Sequence, residues 1–169
     1  DMAEICRTSL LQAMSTTHKW NDAIADEVER KEDAVDHYED VLGTYLVKLS
    51  AKHLSTEDNR TINTLLHTIG DFERVSDHAV NLIKTAEEIR DKSIQFSEEA
   101  LGDLGVLEAA VQDIVNRTVD AFQKGDVYAA GKIEPLEQVV DGLVREVKTR
   151  HIARLQAGVC TIEYGFVLD

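Results

Sequence analysis

The candidates for chemistry in this chain are three pairs with the pattern Glu-x-x-x-Asp: Glu32/Asp36, Glu73/Asp77 and Glu137/Asp141. Residues at that spacing lie on one face of an α-helix, with Cβ atoms about 5–6 Å apart. Two like charges so placed weaken an isolated helix by roughly a few tenths of a kcal/mol. Each pair also borders an apolar seam: Glu32 and Asp36 flank Val28 and Val35, and Glu73 and Asp77 flank Phe72, Ser76 and Val80. Partial desolvation raises the cost of unpaired charge, so a cation or basic side chains should compensate. Carboxylate oxygens suit hard divalent ions and iron. The plainer alternative is a solvated acidic face, since 32 Asp and Glu residues produce some such pairs by chance. Against it stand the equivalent places of Glu32/Asp36 and Glu137/Asp141 in an internal repeat, and the helix bearing Glu73/Asp77, which is expected to pack beside Glu32/Asp36.

Other chemistry is thinly represented. His37 and His78 directly follow Asp36 and Asp77, so each points about 100° around the helix from its acid. His37 stands four after Asp33, as in a surface ion pair, and His18, His53, His67 and His151 are assigned to boundaries or surfaces. No Glu-x-x-His occurs, which counts against a ferritin-like di-iron oxidase. Cys6 and Cys160 form no CxxC pair and have no basic neighbourhood, so a disulfide framework, a Cys-type zinc site and a cysteine nucleophile are unsupported. There is no glycine-rich phosphate loop. Arg74 is assigned to a structural salt bridge.

Composition narrows the class. Lys plus Arg is 18 against 32 acids, a net charge of −14 over 169 residues. That balance opposes nucleic-acid binding and attraction to an anionic bilayer. A hydrophobic content of 43% supplies a core, while one Pro and nine Gly are too few for a loop-rich β fold, which leaves all-α. No run of about 18 apolar residues spans a bilayer. No signal-peptide pattern opens the chain, and Asp1 in place of an initiator Met reads as an excised or processed fragment.

The positioning elements follow from helical periodicity. A first helix is expected from about Met2 to His18, then a corner at Trp20–Asp22 with Asn21 or Asp22 as N-cap. A second runs from about Ala23 to His53, with Val28, Val35, Leu42 and Leu49 every seven residues and Ile24, Tyr38 and Tyr45 between them. Ser55, with an acid three residues on, starts a third helix to about Lys92, seamed by Leu65, Ile69, Phe72, Ser76, Ala79, Ile83 and Ala86. Residues 98–105, with Gly102 and Gly105, read as a linker. A fourth helix spans about Leu104 to Lys124 and a fifth ends near Leu155. In the fifth, Pro135 either kinks the helix or lies in the first turn of a new one. A sixth segment is expected from Thr161 to Asp169.

Setting position n against n + 105 aligns Lys19 with Lys124, Ala25 with Ala130, Glu32 with Glu137, Val35 with Val140 and Asp36 with Asp141. Cys6, Leu10 and Met14 then meet Val111, Val115 and Val119. The unit therefore occurs twice. The second copy lacks most of its third helix, which leaves an apolar face to be covered.

These residues carry a resemblance. Asp71-Phe-Glu-Arg-Val-Ser-Asp-His-Ala-Val-Asn81 resembles the signature of the PhoU-like helical domain, and Glu32-Asp-Ala-Val-Asp36 and Glu137-Gln-Val-Val-Asp141 resemble its companion motifs. The stretch Arg150 to Cys160, continuing through Gly165, is similar to the PhoU-like region that follows the membrane part of sodium/phosphate cotransporter family proteins. The resemblance implies tandem three-helix bundles. The first repeat would span 1–97, the linker 98–105 and a second repeat, incomplete at its third helix, 106–169. It implies multinuclear metal sites, with iron favoured and zinc, nickel, magnesium or calcium as further candidates. Glu32, Asp36, Glu73 and Asp77 would form the first site. Glu137 and Asp141 would be half of a second that is incomplete unless another molecule contributes.

The implied function is a non-enzymatic, cytoplasmic regulator at the inner face of the cell membrane. It would act on the membrane part of a sodium-dependent phosphate transporter. The alternative is a free-standing PhoU-type regulator acting on a phosphate-transport complex and its signalling. Neither reading involves nucleic acid or membrane insertion by this chain, and the open seam would also allow a homodimer. A purely structural helical scaffold is the remaining class.

Overall fold

The computed structural model describes residues 1–159, and the segment expected at Thr161–Asp169 lies outside the described residues. As the sequence predicts, the fold is all-α: α1 (Met2–Thr16), α2 (Asp22–Ser50), α3 (Thr56–Asp91), α4 (Glu98–Lys124), α5 (Val127–Ala130) and α6 (Ile133–Gln156). The chain divides into two compact units, Asp1–Glu87 and Glu88–Asp169.

The first unit holds α1, α2 and nearly all of α3. Asn21 caps α2, its Oδ1 accepting from the amides of Ala23 (3.0 Å) and Ile24 (3.4 Å). Ser55 and Asp58 form the expected capping box at α3: the Asp58 amide donates to Ser55 Oγ (3.1 Å) and the Ser55 amide to Asp58 Oδ2 (3.2 Å). Each such cap satisfies amides that the first turn leaves without partners, and its loss typically costs about 1 kcal/mol.

The core of this unit is drawn from all three helices. One cluster joins Met2, Cys6, Val35, Leu46, Ile62 and Ile69, and another joins Ala13, Ala25, Val28, Ala79 and Ile83. Cys6, Ser9, Ala13, Ser76 and Ala79 are buried and small, so the helices bearing them can approach closely. The heptad seam read from α2 holds at Val28 and Val35 and then shifts. Leu46 is buried, whereas Leu42 and Tyr45 are 37% and 61% exposed. An unsupercoiled helix turns away from a seven-residue repeat by about 20° per heptad, so the inward position after Val35 comes eleven residues on. Leu65 is likewise exposed, and Ile62, three residues before it, is buried in its stead.

In the second unit α4 and α6 pack together, with Val119, Ala121, Val147 and His151 buried. The expected linker at 98–105 is helix. Ser97 caps it, accepting from the Ala100 amide at 3.2 Å, and Glu98 and Glu99 oppose the helix dipole in its first turn. Asp103 supplies the anchor that Gly102 and Gly105 hide from local reading. It binds Arg150 (3.0 Å) and Arg154 (2.6 Å) on α6. Gly125 (φ 61°) ends α4 in the left-handed conformation, and Pro135 falls in the first turn of α6, the second of its two expected roles.

The repeat makes the units comparable. Val28, Val35 and Cys6 are fully buried, while their counterparts Ile133, Val140 and Val111 are half-buried. In the first unit the third wall of that seam is α3.

Candidate functional site

The first unit brings together the two acid pairs that share it. Glu32 and Asp36 lie one turn apart on α2, Glu73 and Asp77 one turn apart on α3. Glu32 and Glu73 are half-buried, and Asp36 and Asp77 are exposed. Partial burial lifts the Glu32 carboxyl above its ordinary value, and the charges of Asp36, Asp33, Asp77 and Glu73 lift it further. Burial likewise raises Glu73, followed by Asp77, Glu39 and Asp36 and by a hydrogen bond with Asp77. The two helices thus hold one shared field of negative charge, and the leading charges acting on Glu32 and Glu73 are other carboxylates.

Nearby cations are engaged elsewhere. Arg74 pairs with Asp71 at 3.5 Å, the structural role expected of it, and Lys31 pairs with Glu27 at 2.9 Å and donates to Gln12. Sequence reading missed Glu39. It has no acid four residues away within the motif, but it stands three after Asp36 and seven after Glu32, on the same helical face. That spacing was the available signal.

By donor chemistry the set fits a hard cation: carboxylate oxygens from two helices, with Glu32 and Glu73 partly desolvated. Among the described residues no three His, Cys, Asp or Glu side chains already converge in the manner of a metal site. The third pair differs. Glu137 and Asp141 are exposed on α6, and Asp141 lies 3.7 Å from Arg145. His37 and His78 are exposed beside their acids. His151, expected at a surface or boundary, is instead buried at 7% exposure, because it falls on the α6 face that packs inward with Val147. The Cys6 thiol donates to the Phe72 carbonyl at 3.2 Å, and burial pushes it up to about 11, so it is no nucleophile at neutral pH.

The family model for the PhoU domain matches residues 1–86, nearly the whole first unit with all four facing carboxylates. The chain belongs to the PhoU family. Among curated PhoU relatives, it is 20% identical over 148 residues to the phosphate-specific transport system accessory protein PhoU homolog of Clostridium acetobutylicum, covering 86% of this chain and 66% of that one. It is 26% identical over 153 residues to the accessory protein PhoU of Edwardsiella tarda, covering 88% and 62%. Against PhoU homolog 1 of Thermotoga maritima it is 22% identical over 160 residues, covering 94% and 68%. The chain spans about two thirds of the length of these PhoU relatives. No solved structure matches it. Among the described residues no helix is long and apolar enough to cross a membrane.

Proposed function

We propose that this PhoU-family chain is a non-enzymatic regulator of phosphate transport, acting by binding a transport complex on the cytoplasmic side. The observation that carries the reading is the match of residues 1–86 to the PhoU domain. The relatives' descriptions as accessory proteins of a phosphate-specific transport system add support. They favour the free-standing accessory regulator over the cotransporter-appended domain that the Arg150–Cys160 stretch suggests. The appended domain stays the narrower reading, with the membrane part of a sodium-dependent phosphate transporter as its partner.

In this proposal Glu32, Asp36, Glu73 and Asp77 hold a metal cation, iron first among the candidates, and Glu39 adds to the attracting field. A bound cation would supply positive charge between two acidic helices and so fix the surface that the first unit shows its partner. The protein's own residues set the conditions: Val28 and Val35 hold α2 inward, and Ile69 and Ala79 do the same for α3. The carboxylates remain at the seam's edge, open to solvent on one side.

Elemental analysis of protein purified without chelator tests the metal. The expected result is metal in the parent chain and its loss in a Glu73→Gln, Asp77→Asn variant. Equal content in both would remove the first site. The regulatory reading is tested separately by phosphate uptake in cells whose own copy carries a deletion of residues 1–86. Unchanged uptake and unchanged response to phosphate limitation would dismiss it.

A further inference from the structure

The outer side of α2 carries a feature that neither the PhoU fold nor the acid motifs use. A shallow, open surface lies along it, formed by His37, Asp40, Val41, Thr44, Tyr45 and Lys48 of this one helix. Val41 is 52% exposed and Tyr45 61%. Toward the start of α2 the same outer side continues as Asp26, Glu29 and Asp33, all exposed and, among the described residues, in no ion pair. With Asp40 these acids stand 3, 4 and 7 residues apart, within one narrow arc of the helix and over about 21 Å of its length.

The second unit shows that the fold does not require this surface. By the n + 105 register, Val41 and Tyr45 correspond to Glu146 and Arg150, which pair with each other at 2.8 Å. Asp40 corresponds to Arg145, which pairs with Asp141. At the counterparts of Asp40, Val41 and Tyr45 the second unit therefore carries charges in ion pairs, but α2 presents an apolar, aromatic patch beside a run of acids.

We propose that this face of α2 docks one amphipathic helix of a partner protein, with an apolar or aromatic residue seated against Val41 and Tyr45 and with Lys or Arg along the acidic run. Charge complementarity selects that occupant. A second copy of this chain, at −14, would meet the acids with like charge, and an anionic membrane surface is repelled in the same way. Aromatic and apolar anchors supply the buried centre of such an interface, and the charges set orientation and rate of encounter. The Val41 and Tyr45 variants test the inference apart from the metal proposal, since they leave Glu32, Asp36, Glu73 and Asp77, and the Asp33 charge beside Glu32, untouched.

The test is fluorescence anisotropy with the whole chain and three labelled peptides of about 18 residues, or five helical turns. The first has a Leu/Trp face with Lys flanks, the second the same face with Glu flanks, and the third the first peptide's composition scrambled to destroy the face. The first should bind at least about tenfold more tightly than either other, and should weaken several-fold between about 50 mM and about 200 mM salt. Tyr45→Ala with Val41→Ala should weaken it about tenfold, and Asp26→Lys, Glu29→Lys, Asp33→Lys should abolish it. All five positions are exposed, so the variants should fold, and circular dichroism checks that they do. The control Glu134→Lys on α6 should leave binding unchanged. Equal binding of the scrambled peptide, equal loss in the control, or no binding of the first peptide would each overturn the proposal. So would light scattering that shows a dimer abolished by Tyr45→Ala, because the face would then belong to a second copy.

Discussion

The two units share a helical plan and use charge in opposite ways. In the first, burial and the carboxylates around them on α2 and α3 raise the half-buried Glu32 and Glu73 above their ordinary values. In the second, a buried acid is satisfied: Asp103, with a side chain 12% exposed, lies between Arg150 and Arg154. Burial alone would lift the Asp103 carboxyl, but the two guanidinium groups outweigh it and hold it below its ordinary value. One unit stores repulsion that a ligand can relieve, and the other spends its charges on tying the start of α4 to the end of α6.

The largest expected effect comes from breaking the second arrangement. Asp103→Ala leaves two guanidinium groups, one of them almost buried, without their acid, and should cost about 3 kcal/mol. Hydrogen exchange resolved by unit checks it: protection should fall in α4 and α6, while α1 and α2 keep theirs. Loss spread evenly over both units would contradict the local role given to this ion pair.

Next comes packing. Val35→Ala should cost about 2 kcal/mol, because Val35 is fully buried between helices. Its counterpart Val140→Ala should cost less than about 1 kcal/mol, since that side chain is only half-buried. Urea melts of the two variants compare them directly, and equal losses would mean that the second seam is as well covered as the first.

The response to pH should separate the units again. Glu32 and Glu73 have raised folded values, so their favourable contribution is full below the ordinary carboxylate range and is lost as pH rises through those raised values. Asp103 is lowered, so its contribution is full above the ordinary range and is lost as pH falls through the lowered value. In metal-free protein, Glu32→Gln with Glu73→Gln should therefore gain about 0.5–1 kcal/mol at neutral pH, and the gain should vanish near pH 4. Thermal melts across that interval check both sign and window. A gain that persists in acid would mean that repulsion is not the cause.

The smallest effect concerns a helix end. Ser93 adopts φ 52°, the left-handed conformation that Gly125 and Gly158 adopt in the same role, and Ile94 closes the turn by donating to the Ile89 carbonyl at 2.9 Å. Ser93→Gly should stabilise by roughly 0.5 kcal/mol, the lost strain exceeding the added freedom of the unfolded chain. A drop in melting temperature would refute that balance.

The sequence by itself determined most of the helices, the caps at Asn21 and Ser55, and which carboxylates share a helical face. These depend on interactions within about four residues: Asn21 and Ser55 satisfy amides next to them, and Glu32/Asp36 share a face through helix geometry alone. The repeat was equally legible, because it is a property of spacing. Tertiary structure decided what depends on distant partners. Residues 98–105 look loop-like because of Gly102 and Gly105, and the anchor that ties them down, Asp103 to Arg150 and Arg154, lies some fifty residues on. Leu46 replaced Leu42 inside because the inward line follows the turn of the real helix rather than a seven-residue repeat. Glu39 joined the acidic field only when α3 was laid beside α2, and His151 went inside because α4 covers it alongside Val147. Local rules set which residues share a helical face, and packing sets what that face meets.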